Sequence, residues 1–226
     1  MAILTDAKLK DAINKGEIQI TPAPKNLEPA SIDLTVGDEA FITGGDKIIK
    51  LSEGKSLILP SGEMALVVTK EGLKLSSKIV GHFGLKSSFA RKGLVLLAGL
   101  QIDPGFEGTL HVVLYNLSSE EISLAHGELF CSVEFHELSE GVETPYSGAY
   151  QGQKSISLQE IIDIRRRRGL ALGEVNKNMQ AVIQDIGTLA ESVIKLKNRT
   201  DRYMMIFILI LAALVIGVII TMFALS

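Results

Sequence analysis

A single cysteine, Cys131, in 226 residues excludes an intramolecular disulfide and any multi-cysteine zinc site. The common phosphate loops are missing too: there is no Gly-x4-Gly-Lys-Ser/Thr and no GxGxxG between a strand and a helix. The four histidines, His82, His111, His126 and His136, lack HExxH spacing, and the HxE with PCxxC pattern of zinc deaminases does not occur, so no zinc is expected. Each histidine reads as a surface or hydrogen-bonded core side chain, and Cys131, inside the apolar run LFCSV, as a buried inert thiol. Positive charge is scarce in the front of the chain. Residues 1–150 hold 13 Lys/Arg against 20 Asp/Glu, a net −7, whereas 151–226 hold 10 against 6, a net +4. An acidic front half argues against nucleic acid as a partner, because such binding begins with phosphate neutralisation. The opening MAILTDAKLKDAI has no long apolar run and so no secretory signal.

Apolar residues are concentrated at the other end. Met204–Leu225 is 22 residues without a charge, and about 20 suffice to cross a bilayer as a helix. Lys195, Lys197, Arg199 and Arg202 flank it on one side and only Ser226 follows. The expectation is a single-pass tail anchor in residues 203–226, contacting lipid through 204–225, with the N-terminal domain cytoplasmic. Before it, Leu172, Val175, Met179, Val182, Ile186, Leu189, Val193 and Leu196 repeat at alternating steps of three and four, which predicts a coiled-coil stalk over 171–202. Residues 154–170 read as a short basic helix and linker: Ser157-Leu-Gln-Glu160 has capping-box spacing, IIDIRRRR follows, Gly169 can end it, and Arg165–Arg168 form a solvated face.

Residues 1–153 form the remaining domain. A helix is expected around Asp6–Lys15, then short runs FITG, SLILP, EMALVVT, KIVGHFG, LVLLAG, TLHVVLYNLS and LFCSVEFHEL separated by turn residues. Many short strands at this spacing predict a mainly β sandwich, barrel or jelly roll.

Five segments in order carry a resemblance: Pro29–Gly37 (PASIDLTVG), Gly84–Gly93 (GLKSSFARKG), Ala98–Gly108 (AGLQIDPGFEG), Val113–Asn116 (VLYN) and Pro145–Gln153 (PYSGAYQGQ). Together they resemble the dCTP deaminase branch of the trimeric dUTPase superfamily. The resemblance implies a distorted jelly-roll or β-barrel fold, a homotrimer with nucleotide sites between subunits, and a pyrimidine deoxynucleoside triphosphate as ligand. It implies phosphate contacts from Lys86, Ser87 and Ser88, and Asp103 against the deoxyribose as the base that orients water. It further implies Phe106 packed on the sugar, Arg91 supporting chemistry, Tyr150 and Gln153 in a closing segment, and Asp33 serving indirectly the magnesium carried by the triphosphate.

Three residues depart from that pattern. Val113 stands where the deaminases carry the glutamate that activates water, and a valine accepts no proton. Lys86 replaces the usual arginine and loses its bidentate fork. Ser132 replaces a phosphate-contacting glutamine. The expectation is therefore a dUTPase-like diphosphohydrolase giving dUMP and pyrophosphate, with a non-catalytic nucleotide sensor or trimeric scaffold as one alternative and a dCTP deaminase as another.

Overall fold

The computed structural model describes residues 2–24, 27–166 and 172–224, with backbone alone at 172–177 and 212–224. In chain order the elements are β1 (Ala2–Ile3), α1 (Asp6–Asn14), β2 (Ile18–Thr21), β3 (Ile32–Ile42), β4 (Ile49–Lys50), β5 (Ser56–Leu59), β6 (Met64–Leu75), β7 (Ile79–Leu85), α2 (Ser87–Ala90), β8 (Leu94–Leu96), β9 (Gln101–Ile102), β10 (Glu107–Asn116), β11 (Ile122–Ala125), β12 (Leu129–Glu137), α3 (Leu158–Arg166) and α4 (Leu172–Ala224). They fall into two units, Met1–Glu174 and Val175–Ser226.

In the first unit, β10 shows why strands form here: every second residue from Gly108 to Asn116 is buried, the period of a pleated ribbon with one inner face. The ten-stranded sheet runs β8-β10-β6-β3-β12-β7-β9, with β1 on β12, β2 on β6 and β4 on β3; β11 pairs separately with β5. All of these pairings are antiparallel, and register shifts interrupt three of them, the local irregularities that curl a sheet. The expected mainly β domain is present. Two strands are longer than the sequence runs suggested. In β3 residues Ile32–Gly37 are all buried, so that Asp33 and Thr35, which alternate with Ile32, Leu34 and Val36, are enclosed as well, and β6 continues past EMALVVT to Leu75. One core packs Phe130, Phe135, Ile18 and Val112 between the curled faces.

Helix α3, in the segment where a short helix was expected, is docked on this domain. Its approach places Ile156 in a second small core with Phe41, Leu66 and Val68, against which Val113, Ile161 and Ile164 also pack. The Ile156 N–H donates to Glu39 Oε2 at 2.9 Å. Arg165 donates to the Gly45 carbonyl at 2.7 Å and lies 5.3 Å from the Phe41 ring centre, so it is not a purely solvated residue. The capping box forms: the Ser157 N–H donates to Glu160 Oε2 at 2.8 Å, and the Glu160 N–H to Ser157 Oγ at 3.3 Å. Gly169 and Arg167–Arg168 lie outside the described residues.

The second unit belongs to α4, a continuous helix of 53 residues. Its heptad residues Met179, Val182, Ile186, Leu189, Val193 and Leu196 are all exposed in the single chain. Among the described residues no helix is long and apolar enough to cross a membrane. That finding corrects the expected tail anchor and the cytoplasmic placement deduced from it. Of the run Met204–Leu225, side chains are described for Met204–Leu211 alone. Residues 212–225 of that run lie outside the described side chains.

Candidate active site

Asp103 follows β9 on the turn Asp103-Pro-Gly-Phe106, closed by the Phe106 N–H donating to the Asp103 carbonyl at 3.1 Å. Gly105 turns the chain at φ +88, a conformation that suits glycine. The carboxylate is half-buried and receives the Gln101 side-chain amide at 2.6 Å. Asp103 and Phe106 line a cavity of about 490 Å³ with Val113, Tyr146, Tyr150 and Gln153. Phe106 is buried, with its ring centre 5.9 Å from that of Tyr146. This cavity thus unites four of the residues singled out in the sequence, Asp103, Phe106, Tyr150 and Gln153, with Val113, which packs beside α3.

The closing segment lies on its own chain. The Gln153 amide donates to the Thr109 carbonyl at 2.8 Å, Thr109 N–H returns to the Gln153 carbonyl at 2.9 Å, and the Gln151 amide donates to the Gly105 carbonyl at 2.9 Å. Gln153 is occupied by the backbone here, whereas Tyr150 is exposed. Asn116, from VLYN, is fully buried and holds the Leu59 and Glu120 carbonyls at 3.0 and 2.7 Å, a structural knot.

The residues expected to grip phosphate lie elsewhere. Among the described residues, the cavity lining contains none of Asp33, Lys86, Ser87, Ser88 and Arg91. Lys86 caps α2 and forms an ion pair with Asp33, whose other oxygen receives the Ser132 hydroxyl across the β12–β3 register pair. Asp33 is only 2% exposed. Both of its oxygens are engaged, one by Lys86 and the other by Ser132. Ser87 and Ser88 on α2 and Arg91 at its C-cap are exposed, with Arg91 Nη2 3.4 Å from Ser87 Oγ.

Two cavity residues were not singled out by sequence. His111 and Glu160 line the same space, and His111 Nδ1 meets Glu160 Oε1 at 2.6 Å. Burial pushes the Glu160 carboxyl up, but hydrogen bonds from His111 and from the Ser157 N–H and hydroxyl outweigh it and hold the group below its ordinary value. The strand period was the available signal, since His111 is two residues from Val113 and shares its face. Nothing local joins either to Glu160. A different group, His82, Glu134 and His136 on β7 and β12, has ligand atoms all within 4.8 Å of one another and could hold a divalent ion.

A model of the dCTP deaminase-like family matches residues 3–138. The chain belongs to the dCTP deaminase-like family. It is 39% identical over 145 residues to the dCTP deaminase of Thermococcus gammatolerans, covering 64% of this chain and 90% of that protein. It is 35% identical over 163 residues to a probable deoxyuridine 5′-triphosphate nucleotidohydrolase of Sulfolobus islandicus rod-shaped virus 1, covering 69% of this chain and 97% of the viral protein. The fold is similar to the crystal structure of 2′-deoxycytidine 5′-triphosphate deaminase from Agrobacterium tumefaciens, with TM-score 0.51 and 18% identity over 59% of this chain and 47% of that one. The dCTP deaminase-like match ends at residue 138, so Tyr146, Tyr150, Gln153 and α3 stand beyond it.

Proposed function

We propose that this dCTP deaminase-like domain binds a pyrimidine deoxynucleoside triphosphate and hydrolyses it in the manner of a dUTPase. The observation that carries the reading is Asp103, a half-buried carboxylate presented beside the buried ring of Phe106 in a cavity where Val113 offers no proton acceptor. With dUTP, Asp103 takes a proton from water, the water oxygen bonds to the α-phosphorus as the bond from that phosphorus to the bridging oxygen breaks, and pyrophosphate leaves, giving dUMP; magnesium brought by the nucleotide would offset the charge of the phosphates.

Separation of the cavity from Lys86, Ser87, Ser88 and Arg91 supports a site completed by a second copy of the chain, with those residues reaching the phosphates from a neighbour in a homotrimer. The exposed heptad face of α4 supports the same assembly.

Incubating the protein with dUTP, dCTP and dTTP plus magnesium and separating the products tests the reading. Hydrolysis of dUTP without conversion of dCTP to dUTP is expected, and Asp103→Asn should slow it by about 10²–10⁴-fold while retaining binding. Release of ammonia from dCTP would overturn it. A second reading, a nucleotide sensor without turnover, is favoured by the engagement of Lys86 with Asp33 and of Gln153 with Thr109. Binding with no product from any nucleotide would select it.

A further inference from the structure

The ring of His111 is 4% exposed in its side chain, yet Nε2 has no hydrogen-bond partner among the described residues. Buried polar atoms are normally satisfied, and this one, on a ring that lines the cavity, finds no partner within the described chain. The other ring nitrogen is fixed. Glu160 accepts from Nδ1 through Oε1, while its Oε2 accepts from the Ser157 N–H and hydroxyl, so one carboxylate ties the cap of α3 to the middle of β10. In the neutral ring with Glu160 ionised, the Nδ1–H tautomer is the one that matches this contact, and Nε2 then carries a lone pair.

The backbone at this point is also irregular. The β10–β6 register shifts between Thr109 and His111, and the intervening Leu110 N–H donates to the Thr69 hydroxyl at 3.0 Å instead of continuing the ladder. Such shifts re-aim side chains and recur beside active sites. Around the same cavity, Asp103 already holds the Gln101 amide and Gln153 the Thr109 carbonyl. His111 is thereby a fixed, uncommitted acceptor next to an apolar wall of Phe106, Leu66 and Ile164, surroundings that suit a flat ring with a polar edge.

We propose that the His111–Glu160 pair reads the nucleobase: Glu160 holds the imidazole with Nε2 as acceptor, and Nε2 takes an N–H of the pyrimidine edge. This rests on the nucleotide reading above and adds a contact supplied through α3, beyond residues 3–138 that the family model matches. His111 is the contacting residue, and Glu160 is a positioning residue acting through it.

The test is binding of the α,β-imido analogues of dUTP and dCTP, which resist cleavage, to the full chain by calorimetry, together with ¹⁵N NMR of labelled histidine. His111→Asn keeps a nitrogen near Nδ1 for Glu160, places an oxygen near Cδ2 and removes Nε2 together with Cε1. That variant should keep its Tm and bind about tenfold more weakly, the loss of one good hydrogen bond. Glu160→Gln must still offer an oxygen to Ser157, so its amide N–H₂ faces Nδ1 and moves the ring proton to Nε2; a comparable loss of affinity and the opposite tautomer are expected.

In the unaltered protein the ¹⁵N spectrum should show Nδ1 protonated and Nε2 shifting when nucleotide binds, a result independent of how the variants fold. Equal affinity of His111→Asn, or an Nε2 signal unchanged at saturation, overturns the base contact and leaves the nucleotide reading standing. No binding of either analogue by the unaltered protein overturns the nucleotide reading, and the base contact falls with it.

Discussion

At Gly105 a side chain would face two costs. The backbone lies at φ +88, and a Cβ there would come within 2.5 Å of the Pro145 Cβ, because the closing segment packs directly on the turn that presents Asp103. Gly105→Ala should therefore destabilise the domain by about 1–3 kcal/mol from backbone strain alone. Thermal unfolding measures it, and an unchanged Tm would show that the turn is not constrained. Cys131 behaves as its apolar run implied. Burial, with the Asp33 carboxylate nearby, pushes its thiol up to about 12, so at pH 8 about one molecule in ten thousand carries the reactive thiolate. A thiol reagent should label the folded protein slowly at pH 8 and completely in urea; rapid labelling in buffer would contradict the buried placement.

At the scale of elements, α3 is held by two carboxylates. Glu39 is raised by burial but lowered more by Lys50 and the Ile156 N–H, and Glu160 likewise by His111 and Ser157, so both are held below the ordinary 4.5. A carboxyl with a depressed folded value stabilises fully above the unfolded value and ceases to do so as the pH falls through the folded one. Helix α3 should thus loosen as the pH drops below about 4.5 while the sheet persists. Methyl NMR of Ile161 and Ile164 against Val67 and Val112 checks this; simultaneous loss of all four would place the acid-labile contacts elsewhere. The capping box was legible from Ser157 and Glu160 because it is local. The second role of Glu160, in receiving His111, was not, because 49 residues separate the pair.

At the scale of the whole molecule, the heptad residues of α4 are exposed where an isolated chain leaves them, with Leu189 at 66% and Leu196 at 62%. Apolar residues at this period bury themselves against copies of the same helix. Light scattering of a fragment ending at residue 198 should report three chains, and Ile186→Asn with Leu189→Asp should lower that number. A monomer at micromolar concentration would remove both the stalk and the shared nucleotide site.

Local chemistry determined what the sequence could show. Helix α1, the alternating strands β10 and β12 and the capping box depend on neighbours within a few residues, and the five ordered motifs sufficed to place the chain among the dCTP deaminase-like proteins. Only the tertiary structure decided how the motif residues are divided. It engages Lys86 with Asp33, 53 residues away, and Ser132 with the same carboxylate across 99 residues, while it gathers Asp103, Phe106 and His111 around one cavity. It also buried Asp33 and Thr35, which alternate with Ile32, Leu34 and Val36 along β3 and which the period-2 pattern by itself would turn to solvent. Such pairings arise from which strands become neighbours in the curled sheet, and that depends on packing the whole core at once, which no short window of sequence encodes.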